Sequence, residues 1–97
     1  MFQELDTVTL TSCISQENTW EIPDYSPLLS NGKFEGGLVP GDVGVIVYVQ
    51  GGGECFEVEF LMPDGYTVAI ATVYPEQMRP VADGDNENYR FREESVR

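Results

Sequence analysis

Glu57 and Glu59 are the carboxylates whose spacing first suggests chemistry. Two residues apart on one face of an extended strand, their Cβ atoms stand ~6.5–7 Å from each other. An acid–base pair needs a different environment for each member, whereas a strand face turned to solvent offers both the same one. No nucleophile or histidine stands near them in sequence, so the pair reads as an exposed acidic face and as a docking surface for a basic partner. Asp83-x-Asp85-x-Glu87 with Glu94 at the twelfth position echoes a calcium loop. Its sixth residue is Asn88 instead of glycine, Arg90 brings in a cation, and no flanking helices are suggested. Gly51-Gly52-Gly53 lacks the Gly-Lys-Ser/Thr ending of a phosphate loop and opens a strand, not a helix; it reads as a hairpin turn.

The chain has no histidine, which removes the Ser-His and Cys-His nucleophile systems and the commonest metal ligand. Cys13 and Cys55 are too few and too far apart for a zinc motif and read as small buried hydrophobes. The expectation is no catalytic residues, no cofactor and no metal.

Charge is the strongest bulk signal: 17 acidic against 5 basic residues, net −12, in 97 residues. Residues 1–78 hold twelve acids and one base, Lys33, net −11, while Arg79, Arg90, Arg92 and Arg97 cluster at the end. Such a field repels phosphate, which supplies most nucleic-acid affinity. It attracts basic proteins, speeds their encounter and favours solubility. The acidic start, Met1 to Asp6, is unlike a secretory signal, and no apolar run approaches the ~20 residues that cross a bilayer. These features imply a cytoplasmic protein with reduced thiols and no membrane or direct nucleic-acid contact.

The elements that must position these residues are strands. Asp6 to Thr11 alternates polar and apolar, putting Val8 and Leu10 inward and Thr7, Thr9 and Thr11 outward. Pro40-Gly41-Asp42 turns into Val43 to Val49, with Val43, Val45, Val47 and Val49 on one face and Gly44, Ile46 and Tyr48 on the other. Gly44 allows a close backbone approach or a sharp bend. Phe56, Val58 and Phe60 point inward from the next strand, Glu57 and Glu59 outward. Asp64-Gly65 marks a hairpin into Thr67 to Val73. Pro75 to Met78 forms one helical turn before a short last strand, Arg79-Pro80-Val81. The order predicts an all-β, SH3-like five-stranded barrel over residues 1–82, with a long first loop at 14–37, one 3-10 turn before the last strand, and a charged tail at 83–97.

The loop combines breaker residues with Trp20, Ile22, Tyr25, Leu28, Leu29 and Phe34, so it reads as an ordered segment pinned by its aromatics. Those aromatics either cap an open barrel end or bind. In SH3-type domains this position lines an aromatic groove. Trp20, Tyr25 and Phe34 with Glu21, Asp24 and Glu35 are therefore the candidate partner-binding residues, joined by Glu57 and Glu59.

Glu4-Leu5-Asp6-x-Val8-x-Leu10, Pro40-Gly41-Asp42-Val43-Gly44-x-Ile46-Val47-x-Val49, Phe56-Glu57-Val58-Glu59-Phe60, Asp64-Gly65-x-Thr67-x-Ala69 and Met78-Arg79-Pro80 together resemble a family of small bacterial proteins catalogued as domain of unknown function 4926. The resemblance covers about two thirds of the chain, in order. It implies an SH3-like fold and an accessory partner instead of an enzyme. Some relatives lie beside toxin-like or nuclease-like proteins, which suggests immunity or antitoxin work. The longer first loop and the tail after Ala82 depart from the family pattern.

The functional expectation is a non-enzymatic acidic module that binds a basic protein, most concretely an immunity protein or antitoxin occluding a toxin such as a nuclease. Alternatives are an accessory subunit that docks through an apolar groove, and a DNA mimic whose carboxylates stand in for phosphates. No sequence signal specifies an oligomeric state.

Overall fold

The turn Val39-Pro40-Gly41-Asp42 delivers the chain into its longest strand. Pro40 supplies the fixed φ of the first central position, Gly41 stands at φ +97° in the second, and the Asp42 N–H donates to the Val39 carbonyl at 3.1 Å. This is the type II pattern. The Asp42 carboxylate, 1% exposed, accepts the Val39 N–H at 2.9 Å and closes the same turn a second time. These contacts come from a computed structural model, which describes residues 2–23, 26, 28, 37–62 and 65–82.

Six strands follow one another as β1 (Thr7–Leu10), β2 (Thr19–Glu21), β3 (Val43–Gln50), β4 (Cys55–Leu61), β5 (Thr67–Val73) and β6 (Met78–Pro80). All pairings are antiparallel, in the order β2-β5-β4-β3-β1-β6. The expected five-stranded barrel is corrected on two counts. A further strand, β2, and a 3-10 turn at Gln16–Asn18 lie inside the predicted loop. The sheet is also unclosed, since β2 and β6 are its two ends and do not pair among the described residues. The 3-10 turn before the last strand stands where expected, at Pro75–Gln77.

β3, β4 and β5 form the meander that the sequence implies. Gly51, Gly52 and Gly53 all have positive φ, and the Gly53 and Glu54 N–H groups both donate to the Gln50 carbonyl; side chains other than glycine rarely tolerate such a run. On the inner face, Phe56, Val58 and Phe60 of β4 stand opposite Val73, Ala71 and Ala69 of β5. Large residues thus face smaller ones, and all six are buried. Val8 and Leu10 of β1, Ile14, Leu38, Ile46, Met62, Val68 and Met78 join them in this core, and Phe2 packs edge-on against Phe56 with ring centroids 5.7 Å apart.

Alternation along β3 does not run through. Ile46 pairs with Val58 but Tyr48 pairs with Glu57, so Val47 is an extra residue, a bulge. Before it Gly44 and Ile46 face inward with Phe60 and Val58; after it Val49 does, opposite Phe56. Val43, Val45, Val47 and Val49 therefore do not share a face. An ideal Cβ on Gly44 would meet Val58 Cγ1 at 2.7 Å and the Glu59 carbonyl oxygen at 2.8 Å, so the close approach expected of this glycine is present. Thr9, expected outward, is buried, and its hydroxyl donates to the Asp42 carbonyl at 3.2 Å.

Asp6 repeats the work of Asp42. Its N–H donates to the Gln3 carbonyl at 3.1 Å, and its carboxylate accepts the Gln3 N–H at 2.9 Å. The Leu5 N–H donates to the Ile46 carbonyl and the Ile46 N–H to the Asp6 carbonyl; in the same way Gly41 donates to Leu10, and Leu10 to Asp42. A local two-fold through the Val8–Gly44 pair relates the two ends. Each is a bulge whose first residue is ordinarily a left-handed glycine. At one end that residue is Gly41; at the other it is Leu5, at φ +74° and 79% exposed.

Leu5→Gly is expected to raise unfolding stability by ~0.5–1 kcal/mol, the relief of left-handed strain outweighing the added freedom of the unfolded chain. Gly44→Ala is expected to lower it by ~1–3 kcal/mol through overpacking. Urea denaturation of both variants checks the two signs together.

Candidate functional site on the outer sheet face

The β4 residues that alternate with the core phenylalanines are Glu57 and Glu59, and the pairing lays two rows across the outer face. One runs Tyr48–Glu57–Thr72 over β3, β4 and β5; the next runs Val45–Glu59–Ile70–Glu21 and ends on β2. Trp20 sits at the register shift between Thr19 and Glu21. Its side chain crosses β5 to reach the first row, where Nε1–H donates to Glu57 Oε1 at 2.5 Å.

Glu57 departs from expectation. It points away from the core, as its place in the alternation requires, yet it is only 7% exposed. The Trp20 indole, the Gln50 amide and the Thr72 hydroxyl all donate to its carboxylate. Thr72 Oγ1 lies 3.0 and 3.1 Å from the two oxygens and has a single hydrogen to share between them. Hydrogen bonds to a charged acceptor contribute roughly 1.5–3 kcal/mol each, and such satisfaction is what permits a carboxylate to be covered. The exposed acidic pair is therefore corrected: Glu57 is an internal acceptor. Glu59 is half-buried and accepts the Thr67 hydroxyl at 2.5 Å, and Glu21 is exposed.

The aromatics beside Glu57 remain open. Trp20 is 57% exposed and Tyr48 56%. Because the indole N–H is bound to Glu57, the orientation of the ring is fixed, and what it offers outward is apolar surface. A rigid aromatic with open surface and nearby carboxylates suits non-covalent recognition of a cationic, partly apolar group.

Trp20, Glu21, Glu57 and Glu59 are thus brought onto one face, and Trp20 belongs to a strand instead of a loop. Asp24, Tyr25, Phe34 and Glu35 lie outside the described residues, as do the calcium-like run and the tail at 83–97. Of the aromatics expected to pin the long segment, Trp20 does so through Glu57; the rest of its described part is fastened by Ile22 and Leu28, which pack on the core, and by the buried Ser26 hydroxyl, which donates to the Val68 carbonyl at 2.6 Å. Tyr48, Gln50 and Thr72 were not singled out from sequence. Counting back from the glycine turn pairs Gln50 with Cys55 and Tyr48 with Glu57, so hairpin register was the usable signal for the first two.

Cys13 is exposed and Cys55 half-buried, both as free thiols, so the buried role expected of the cysteines fails for Cys13. No group of three His, Cys, Asp or Glu side chains among the described residues is placed to hold a metal. A groove of about 500 Å³ beside the glycine turn is lined by Phe2, Val49, Phe56 and Pro75, with Gln3 as its polar side chain. Among the described residues no helix is long and apolar enough to cross a membrane.

The sequence model of the family described as Domain of unknown function (DUF4926) matches residues 4–80, a span that begins within the first turn and ends with β6. The chain belongs to this family. No curated protein and no solved structure matches it. In this DUF4926 member the matched span includes both turn-closing aspartates, Asp6 and Asp42, and all of the outer-face residues from Trp20 to Thr72, while residues 1–3 and 81–97 lie beyond it.

Glu57→Ala is expected to lower stability by ~1–3 kcal/mol by leaving its donors without an acceptor, and to shift the emission of Trp20 in the folded state. Thr72→Val is expected to cost about 1 kcal/mol. Chemical denaturation followed by fluorescence measures both.

Proposed function

We propose that the protein is a non-enzymatic binding module, an SH3-like but open barrel of six strands, that engages a basic protein through its outer sheet face. The observation that carries this reading is the pairing of two exposed aromatics, Trp20 and Tyr48, with the carboxylates of Glu21 and Glu59 on that face. Aromatic anchors supply contact area at low entropic cost and the surrounding acids supply steering and register. The net charge of −11 over residues 1–78 extends that steering to the whole body.

In its most concrete form the protein is a cytoplasmic immunity protein or antitoxin that covers the cationic site of a toxin, for which a nuclease is the chemistry best matched to this charge. The accessory-subunit reading draws support from the exposed Leu5, Val47 and Tyr48, which suit apolar docking. The DNA-mimic reading loses ground, because Glu57 is covered and does not pair with Glu59 as a phosphate-like repeat.

The test is co-purification with the product of the adjacent gene over a range of salt concentrations. The expected result is binding that weakens with salt, falls about tenfold or more in the Glu21→Lys/Glu59→Lys double variant and falls similarly in Trp20→Ala. Binding indifferent to salt and to charge reversal, yet lost in Trp20→Ala, would favour the accessory-subunit reading instead. No association with the adjacent product in any condition would count against the proposal.

A further inference from the structure

We propose that the outer face holds one arginine side chain of the basic partner, stacked between Trp20 and Tyr48 above the Glu57 carboxylate; this rests on the docking reading above and names its central contact. Three observations lead there. First, Glu57 is nine-tenths buried, and its donors among the described residues, the Trp20 indole, the Gln50 amide and the Thr72 hydroxyl, are all neutral. A buried carboxylate is stabilised most by a cation.

Second, the two rings stand on either side of that carboxylate. Tyr48 is its direct cross-strand partner on β3, with Cβ atoms ~4.5–5.5 Å apart. Trp20 reaches it from β2 on the opposite side. Both rings stay more than half exposed beside a carboxylate that is almost wholly covered. A planar cation can lie against either ring and still direct an N–H group toward the carboxylate below.

Third, the wider field selects the source of the cation. A second copy of the chain would bring its own excess of acids against this one, whereas a basic protein is complementary. Arginine fits better than lysine because the guanidinium is planar, stacks on aromatic faces and keeps in-plane N–H groups free for carboxylates. Lysine offers a compact, strongly hydrated charge that leaves much of the ring surface uncovered. Glu57 is thus both the residue that positions Trp20 and the floor of the site.

Trp20 is the one tryptophan in the chain, so its emission reports this site alone. The full chain is titrated with acetylated, amidated Gly-Arg-Gly and Gly-Lys-Gly peptides. The arginine peptide is expected to give a saturable change in emission, with the lysine peptide about fivefold weaker. Tyr48→Ala and Glu57→Gln are each expected to weaken the arginine peptide about tenfold. Their thermal midpoints are recorded alongside, and the exposed Tyr48 provides a variant that leaves the buried acceptor untouched.

Equal response to both peptides, absence of saturation, or indifference to both substitutions would overturn the proposal. So would saturation that appears only after Arg90→Gln and Arg92→Gln, because the occupant would then be the chain's own tail. If the product of the adjacent gene still binds with salt and Trp20 dependence while the peptide does not, the arginine contact falls and the docking reading stands. If neither binds, both fall.

Discussion

The register of β3 is the constraint on which the remaining structure depends. β3 is paired on both sides, to β1 and to β4, so its start decides which residues of three strands meet. That start is set by Asp42, whose backbone and carboxylate both close the turn before it and whose carbonyl accepts from Leu10 and Thr9. Asp6 sets the opposite end of the β1–β3 pair in the same way. Between them, the absence of a side chain at Gly44 allows β3 to press against β4 at Glu59. A slip of one residue here would turn Phe60 and Val58 away from the core.

Acidic residues therefore do two kinds of work in this protein. Asp6, Asp42 and Glu57 are acceptors within the architecture, each bonded to N–H or O–H groups of the chain itself. Glu21 is exposed and Glu59 half-buried, and these contribute to the external field. Net charge read from composition does not separate the two kinds. The burial of Glu57 shows how they combine, since an acid engaged internally fixes an aromatic that faces outward.

Much of the fold was legible because its signals are local. Thr67 to Val73 is a strand over the range expected, and Gly51-Gly52-Gly53, Pro40-Gly41-Asp42 and Pro75–Gln77 are turns where their chemistry requires. What was not legible is non-local. β2 is three residues long and exists through its pairing with β5, so neither propensity nor period could reveal it. The bulge at Val47 is invisible in a run of β-branched residues that suits either phase. Glu57 looked solvent-facing because alternation fixes direction, whereas its cover comes from Trp20, thirty-seven residues earlier in the chain. The candidate face was half visible: its acids were found by alternation, but the partnership of Trp20 with Glu57 required the folded chain.

The two ends of the open sheet bear on how this molecule meets others. Pro80 lacks the N–H that an incoming strand would need on β6, and β2 is short and carries an irregularity in its pairing. Edges blunted in this manner are poor templates for backbone-to-backbone growth, whether of aggregates or of complexes built by strand addition. Recognition is accordingly left to side chains on a face, where a single substitution can change the choice of partner without unravelling the sheet.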